Sequence, residues 1–114
     1  MEVIRRGDLV TVALSGDYGR PRPALVVQSD AFAGVPSLTV LRITSDLNDW
    51  PLFRITVEPS SGNGLKSISQ IMVDKIATLP RKKVGQRIGM LDASVLRRVD
   101  DALRDFLQLG WSKQ

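Results

Sequence analysis

The sequence predicts a mainly β domain finished by one C-terminal helix: a small, strongly curved sheet or partly open barrel capped by that helix. Three observations carry this expectation. Short β-rich runs, separated by glycine, proline and asparagine, fill the first eighty residues. The apolar period then changes from two to helical spacing just after Asp92. Finally, 114 residues with 43% apolar and 25% charged side chains suit one domain with its own core.

Asp8 to Leu14 (DLVTVAL) is a strand run opened by the Arg6-Gly7 turn. The two glycines and the proline of Ser15 to Arg22 mark a loop. Pro23 to Gln28 (PALVVQ) reads as a strand apolar on both faces, with proline tolerated at its start. Ser37 to Ile43 is a third strand, and Phe53 to Val57 alternates apolar and polar as a half-exposed strand does. Ser60 to Gly64 is a turn whose glycines and asparagine accept positive φ. Ile68 to Val73 returns as a strand that Ile76 to Leu79 continues past a bend. Asp92 then caps a helix by accepting a first-turn N–H. Its apolar face is Val95, Leu96, Val99, Ala102, Leu103, Phe106 and Leu107, and Gly110 closes it. Arg97 with Asp101 and Asp100 with Arg104 are expected ion pairs four residues apart. No repeat or linker interrupts residues 1–114, so a single domain is expected.

Composition narrows the chemistry. The chain has no cysteine and no histidine, which removes disulfides, cysteine-ligated metals, thiol nucleophiles and the side chain that titrates near neutrality. Carboxylates, hydroxyls, lysines and arginines remain, and neither a metal nor another cofactor is expected. Net charge is +4, and eleven of the sixteen basic residues are arginine, whose planar fork suits phosphate. No apolar stretch reaches the roughly 18 residues of a membrane span. The N-terminus lacks the basic-then-apolar order of a secretory signal, so a cytoplasmic location is expected.

Four places carry candidate chemistry. Arg20 and Arg22 alternate with Pro21 and Pro23, which stiffen the segment and project two cations from the mouth of a strand. An Arg-Pro pair alone reads more readily as solvated loop. Thr44, Ser45 and Asp46 end the third strand, where they either bind phosphate or stop the strand by bonding to nearby backbone. Arg81, Lys82 and Lys83, with Gln86 and Arg87 beyond, form the densest basic run. It is either a solvated loop or a set of phosphate contacts, and the run has no interleaved aromatics for base stacking. Trp50 and Trp111 suit an oligomer interface or packing within one chain.

Taken in order, Arg6-Gly7-Asp8, then Gly16-Asp17-Tyr18-Gly19-Arg20-Pro21-Arg22-Pro23-Ala24-Leu25-Val26-Val27-Gln28-Ser29-Asp30, then Ile43-Thr44-Ser45 resemble the MazF/PemK toxin family. Pro51 to Glu58 and Ser69 to Ile76 continue the match, which runs from about Arg5 to the end of the helix. The resemblance implies an SH3-like curved barrel with a C-terminal helix, assembled as a homodimer. It also implies a metal-independent endoribonuclease that cuts single-stranded RNA at short sequences. The products would be a 2′,3′-cyclic phosphate and a 5′-hydroxyl, and a cognate antitoxin protein would silence the enzyme. The family's catalytic arginine falls on Arg22 and its catalytic threonine on Thr44. The first loop is shorter than in many members, its Gly-Asp-Tyr-Gly version looks like a short-loop subgroup, and Lys75 stands where glutamine is frequent. Asp17, Tyr18, Arg20, Ser45, Lys75 and Arg81 are the residues expected to contact RNA.

Cyclising cleavage requires removal of the 2′-hydroxyl proton, stabilisation of the phosphorane charge and protonation of the 5′-oxygen. Arg22 suits the second task; a guanidinium holds its protons tightly and is a poor proton donor. Thr44 would donate to the same phosphate or position the 2′-hydroxyl. Asp17 is the nearest carboxylate in sequence, and whether burial raises its pKa or arginines lower it is left open by sequence. Two alternatives stand beside this reading. One is a CcdB-like gyrase-directed toxin, to which Leu109-Gly110-Trp111 is faintly similar. The other is a non-catalytic binding module on the same fold.

Overall fold

The computed structural model describes residues 3–110, so Trp111 lies outside the described residues. Six strands form one antiparallel sheet: β1 Asp8–Val12, β2 Arg22–Val26, β3 Ser37–Thr44, β4 Arg54–Val57, β5 Ser69–Pro80 and β6 Arg87–Met90. Their spatial order is β4-β5-β3-β2-β1-β6, and helix α1, Ala93–Leu107, follows. The mainly β reading with one C-terminal helix therefore holds, and the sheet curls into a half-barrel.

The central strands are buried on both faces, which is why they read as apolar runs rather than alternating ones. Leu9, Leu25, Leu41 and Ile43 join Ile71, Val73 and Val99 in the core beneath α1. Val10, Val12, Ala24, Val26, Leu38 and Val40 join Leu79 in a second core on the opposite face. β5 serves both layers through an irregularity. Its pairing with β3 runs from Ile43↔Ile71 to Leu41↔Ile76, so two steps along β3 span five along β5. Ile71 and Val73 thereby enter the first core while Leu79, at the same parity, enters the second.

The helix corrects several expectations. Asp92 occupies the N-cap, but its carboxylate makes no capping bond. The C-terminal stop is Gln108 in the left-handed conformation, not Gly110; its N–H bonds back to the last turn. Asp100 pairs with Arg6 at 2.7 Å and not with Arg104, because Arg6 is held beside the helix by a bond to the Val27 carbonyl. Asp101 meets Arg104 at 3.4 Å instead of Arg97. Of the seven apolar residues on the helix face, Val99 is buried and Val95, Leu96, Ala102 and Leu103 pack against the core. Phe106 and Leu107 remain 50% and 44% exposed.

The sequence reading does not anticipate the sixth strand, Arg-Ile-Gly-Met: there Arg87 closes the basic run, and Ile88 to Met90 belong to no element. Arg87 belongs to it and pairs with the buried Asp8 carboxylate at 3.1 Å. This edge strand meets the loop that leaves the opposite edge: Met90 N–H donates to the Gly62 carbonyl at 2.9 Å. The approach is backbone against backbone. A Cβ on Gly89 would lie 2.4 Å from the Gly62 oxygen, and one on Gly64 would lie 2.1 Å from the Ile88 oxygen. Gly64 also has φ +72°, a conformation that costs other residues about 1–2 kcal/mol. Gly64→Ala is therefore expected to lower unfolding free energy by at least that amount. Gly34→Ala, where a Cβ meets nothing within 4 Å, should stay within about 0.5 kcal/mol of wild type. Chemical denaturation of the two variants checks the contrast.

Candidate functional site

Arg22 opens β2 between two prolines, opposite Val12 of β1. β3 begins to pair with β2 only at Ala24, so Pro23, which has no N–H, interrupts no bond on that side. The register Ala24↔Arg42, carried two residues further, brings Arg22 level with Thr44. Both residues line a cleft of about 400 Å³ together with Ser45. Its other polar lining comes from Thr11 and Gln86 and from Lys66, Ser67 and Ser69 after the β4–β5 turn.

Thr44 Oγ1 accepts the Asp46 N–H at 3.0 Å, so the hydroxyl ends the strand and keeps its own proton free to donate. The loop that follows is pinned by Gln70, level with Thr44 on β5. Gln70 Oε1 accepts from Asn48 N–H and Arg54 Nη1, each at 2.9 Å, and its amide nitrogen donates to the Asn48 carbonyl at 2.9 Å. Trp50 packs partly within the chain and remains 48% exposed. Its ring stacks on Phe53 with centroids 5.5 Å apart, and the Arg54 guanidinium lies 5.1 Å from it.

The loop between β1 and β2 is organised by Asp17, which is only 4% exposed. Its carboxylate accepts Arg42 Nη2 at 2.5 Å and the Leu14 N–H at 2.9 Å, while its carbonyl accepts the Arg20 N–H at 3.0 Å. Burial pushes this carboxyl up, but the Leu14 and Arg42 hydrogen bonds and the charges of Arg42 and Arg22 outweigh it and hold it below the usual aspartate value. The direction left open by sequence is therefore downward. Tyr18, at φ 55°, projects from the same loop 95% exposed, and Arg20 is exposed beside it.

Of the eight residues expected at the site, Arg22, Thr44 and Ser45 share the cleft. Asp17, Tyr18 and Arg20 occupy the adjoining loop. Lys75 lies in the irregular part of β5, paired with Asp74 at 2.7 Å. Arg81 stands at the far end of that strand, donating to the Val35 and Phe32 carbonyls at 2.6 and 3.3 Å. Sequence reasoning missed Lys66 and Ser67, whereas Gln86 belongs to the basic run already singled out for phosphate contacts. The Gly62-Asn63-Gly64 turn signalled a bend but not that the following residues face Arg22. Among the described residues, no three Asp or Glu side chains cluster as a metal site, and no helix is long and apolar enough to cross a membrane.

The Asp17 bonds give a pH signature. Because its folded-state pKa is depressed, the stabilisation is complete above the ordinary value of 3.8 and is lost as pH falls through the lower folded value. Asp17→Asn should cost about 1–3 kcal/mol at neutral pH. That difference from wild type should shrink toward zero in strongly acid solution. Paired denaturation curves at the two pH values test this.

The geometry can be set beside known proteins. The family described as PemK-like, MazF-like toxin of type II toxin-antitoxin system matches residues 5–107. The probable endoribonuclease MazF of Mycolicibacterium smegmatis is 43% identical over 108 residues, covering 94% of this chain and 99% of the relative. Endoribonuclease EndoA of Bacillus subtilis is 28% identical over 114 residues, covering 94% and 97%. An endoribonuclease solved in complex with its cognate antitoxin from a mycobacterial species has the same fold. Its TM-score is 0.77 at 22% identity, over 98% of this chain and 100% of that one. A chain of the MazE–MazF crystal structure from Deinococcus radiodurans gives 0.75 at 25% identity, over 96% and 100%. The chain belongs to the PemK-like, MazF-like family of toxins of type II toxin–antitoxin systems.

Proposed function

We propose that this chain is the toxin of a toxin–antitoxin pair and acts as an endoribonuclease. It cleaves single-stranded RNA at a short sequence without a metal ion and leaves 2′,3′-cyclic phosphate and 5′-hydroxyl ends. The observation that carries this reading is the cleft that places Arg22 level with Thr44, in a chain 43% identical to a probable endoribonuclease. The family match favours it over the gyrase-directed and non-catalytic alternatives.

In this reading the scissile phosphate sits against Arg22, whose guanidinium donates to the non-bridging oxygens as the 2′-oxygen attacks. Fixed donors aimed at developing charge contribute about 2.7–4 kcal/mol each. Thr44 donates its free hydroxyl proton to the same phosphate. Asp17 does not suit the role of base, because its oxygens are engaged and its pKa is lowered. It holds the loop that presents Tyr18 and Arg20 to the RNA. An acidic segment of the antitoxin would compete with RNA for Arg20 and Arg22. Such an enzyme works in the cytoplasm, with both RNA and antitoxin at hand.

A second copy of the chain is the proposed occupant of an apolar groove lined by Ile76, Leu103, Leu107 and Leu109, three of them exposed in the single chain.

Cleavage of a long single-stranded RNA in EDTA tests the activity. Discrete fragments with 5′-hydroxyl ends are expected. Arg22→Ala should reduce the rate about 10²–10³-fold. Thr44→Ala should reduce it about ten- to a hundredfold, as for a lost hydrogen bond to a charged group. Intact RNA from folded wild type, or an Arg22→Ala variant keeping half the rate, would refute the reading. For assembly, light scattering of Leu107→Glu/Leu109→Glu should report one chain where wild type reports two.

A further inference from the structure

The cleft poses a problem of proton supply. Breaking the bond from phosphorus to the 5′-oxygen leaves an alkoxide that needs a proton. Among the described residues lining the cleft, the ionisable side chains are Arg22 and Lys66, both cationic. A guanidinium holds its protons too tightly to deliver one. An ammonium group is the stronger acid of the two. The remaining polar side chains in the cleft are hydroxyls and one amide, weaker acids still.

Lys66 also sits on backbone that has little freedom. Asn63 is buried; its Oδ1 accepts the Ser60 and Leu65 N–H groups at 3.0 and 2.9 Å, and its Nδ2 donates to the Glu58 carbonyl at 2.9 Å. Leu65 is anchored in the first core, and Gly64 lies against the Ile88 carbonyl. The segment is thus held from both sides immediately before Lys66. Among the described residues no carboxylate lies within ion-pair distance of its ammonium.

The geometry points to Lys66 as a further catalytic residue of this cleft, the proton donor to the departing 5′-oxygen; this assignment rests on the ribonuclease reading above. The 2′-oxygen forms its bond to phosphorus and releases its proton to solvent water or hydroxide. The bond from phosphorus to the 5′-oxygen breaks, its electron pair stays on that oxygen, and a proton passes to it from Lys66 Nζ. Lys66, left as the amine, regains a proton from solvent. No water is consumed, and the products are the cyclic phosphate and the 5′-hydroxyl. Lys66 and Arg22 then divide the work, one supplying the proton and the other holding the phosphorane charge.

The test uses the RNA sequence at which wild type cuts a long transcript, prepared once as an ordinary oligonucleotide and once with sulfur in place of the bridging 5′-oxygen. A thiolate leaves without a proton. Lys66→Ala is expected to slow the oxygen substrate about 10²-fold or more, the lower range for a general acid, and the sulfur substrate less than about fivefold. Lys66→Arg, which keeps the charge but not the acidity, should not restore the oxygen rate. Arg22→Ala should slow both substrates alike. The assignment is overturned if Lys66→Ala cuts the oxygen substrate at the wild-type rate, if it slows both substrates equally, or if Lys66→Arg restores the rate. Wild type that leaves every RNA intact overturns the ribonuclease reading itself, and the assignment with it.

Discussion

The close approach of two backbones, Gly62 to Gly64 against Ile88 to Met90, is the contact on which the rest of the molecule depends. It joins a loop from one edge of the sheet to the strand at the other edge, and so converts an open six-stranded sheet into a half-barrel. The Met90 bond to Gly62 removes part of the exposed edge of β6, and the absence of side chains at Gly64 and Gly89 makes the contact possible. The cleft is a by-product of this closure. Without it Lys66 and Ser67 would have no fixed relation to Arg22 and Thr44, which sit on the central strands.

The candidate cleft has an unusual inventory of side chains. A chain with no histidine lacks the side chain most often used to move protons at neutral pH. The cleft carries positive charge on rigid supports: a guanidinium between two prolines and an ammonium behind a buried asparagine. The carboxylate nearest to Arg22 in sequence is engaged in its own loop. Asp17 closes its own loop and neutralises Arg42, which leaves Arg22 without a competing ion pair among the described residues. The arginine tied into the Asp17 loop and the arginine that lines the cleft sit on adjacent strands. Arg42 is half-buried on β3, and Arg22 is exposed at the start of β2.

Much of this was legible in the sequence, for reasons that differ from element to element. PALVV announced a strand buried on both faces because no polar residue interrupts it, and both faces are indeed covered. The C-terminal helix was legible from its apolar spacing, whereas its terminal contacts were not. Asp100 turned to Arg6, ninety-four residues away, over a partner four residues along its own helix. β6 was invisible because Arg87, Ile88, Gly89 and Met90 have neither length nor alternation, and their strand exists only through pairing with β1. At the site, Arg22 and Thr44 lie at strand ends that the pattern marks, so their level placement follows from register. Lys66 follows a turn, and a turn says that the chain reverses without saying what it faces.

The irregular stretch of β5 bears on how such a chain can change. Ile71 and Leu79 are an even number of residues apart, yet they enter opposite layers because the strand slips against β3 between them. Counting alone would put them on one side. Inserting or deleting a single residue there would not merely lengthen or shorten a strand. It would reassign an entire half of the longest strand to the wrong layer. The number of residues between Ile71 and Leu79 is therefore information in its own right, carried by spacing and separable from the identity of any side chain. A substitution in this segment alters one contact, whereas a change in its length alters the address of every residue beyond it.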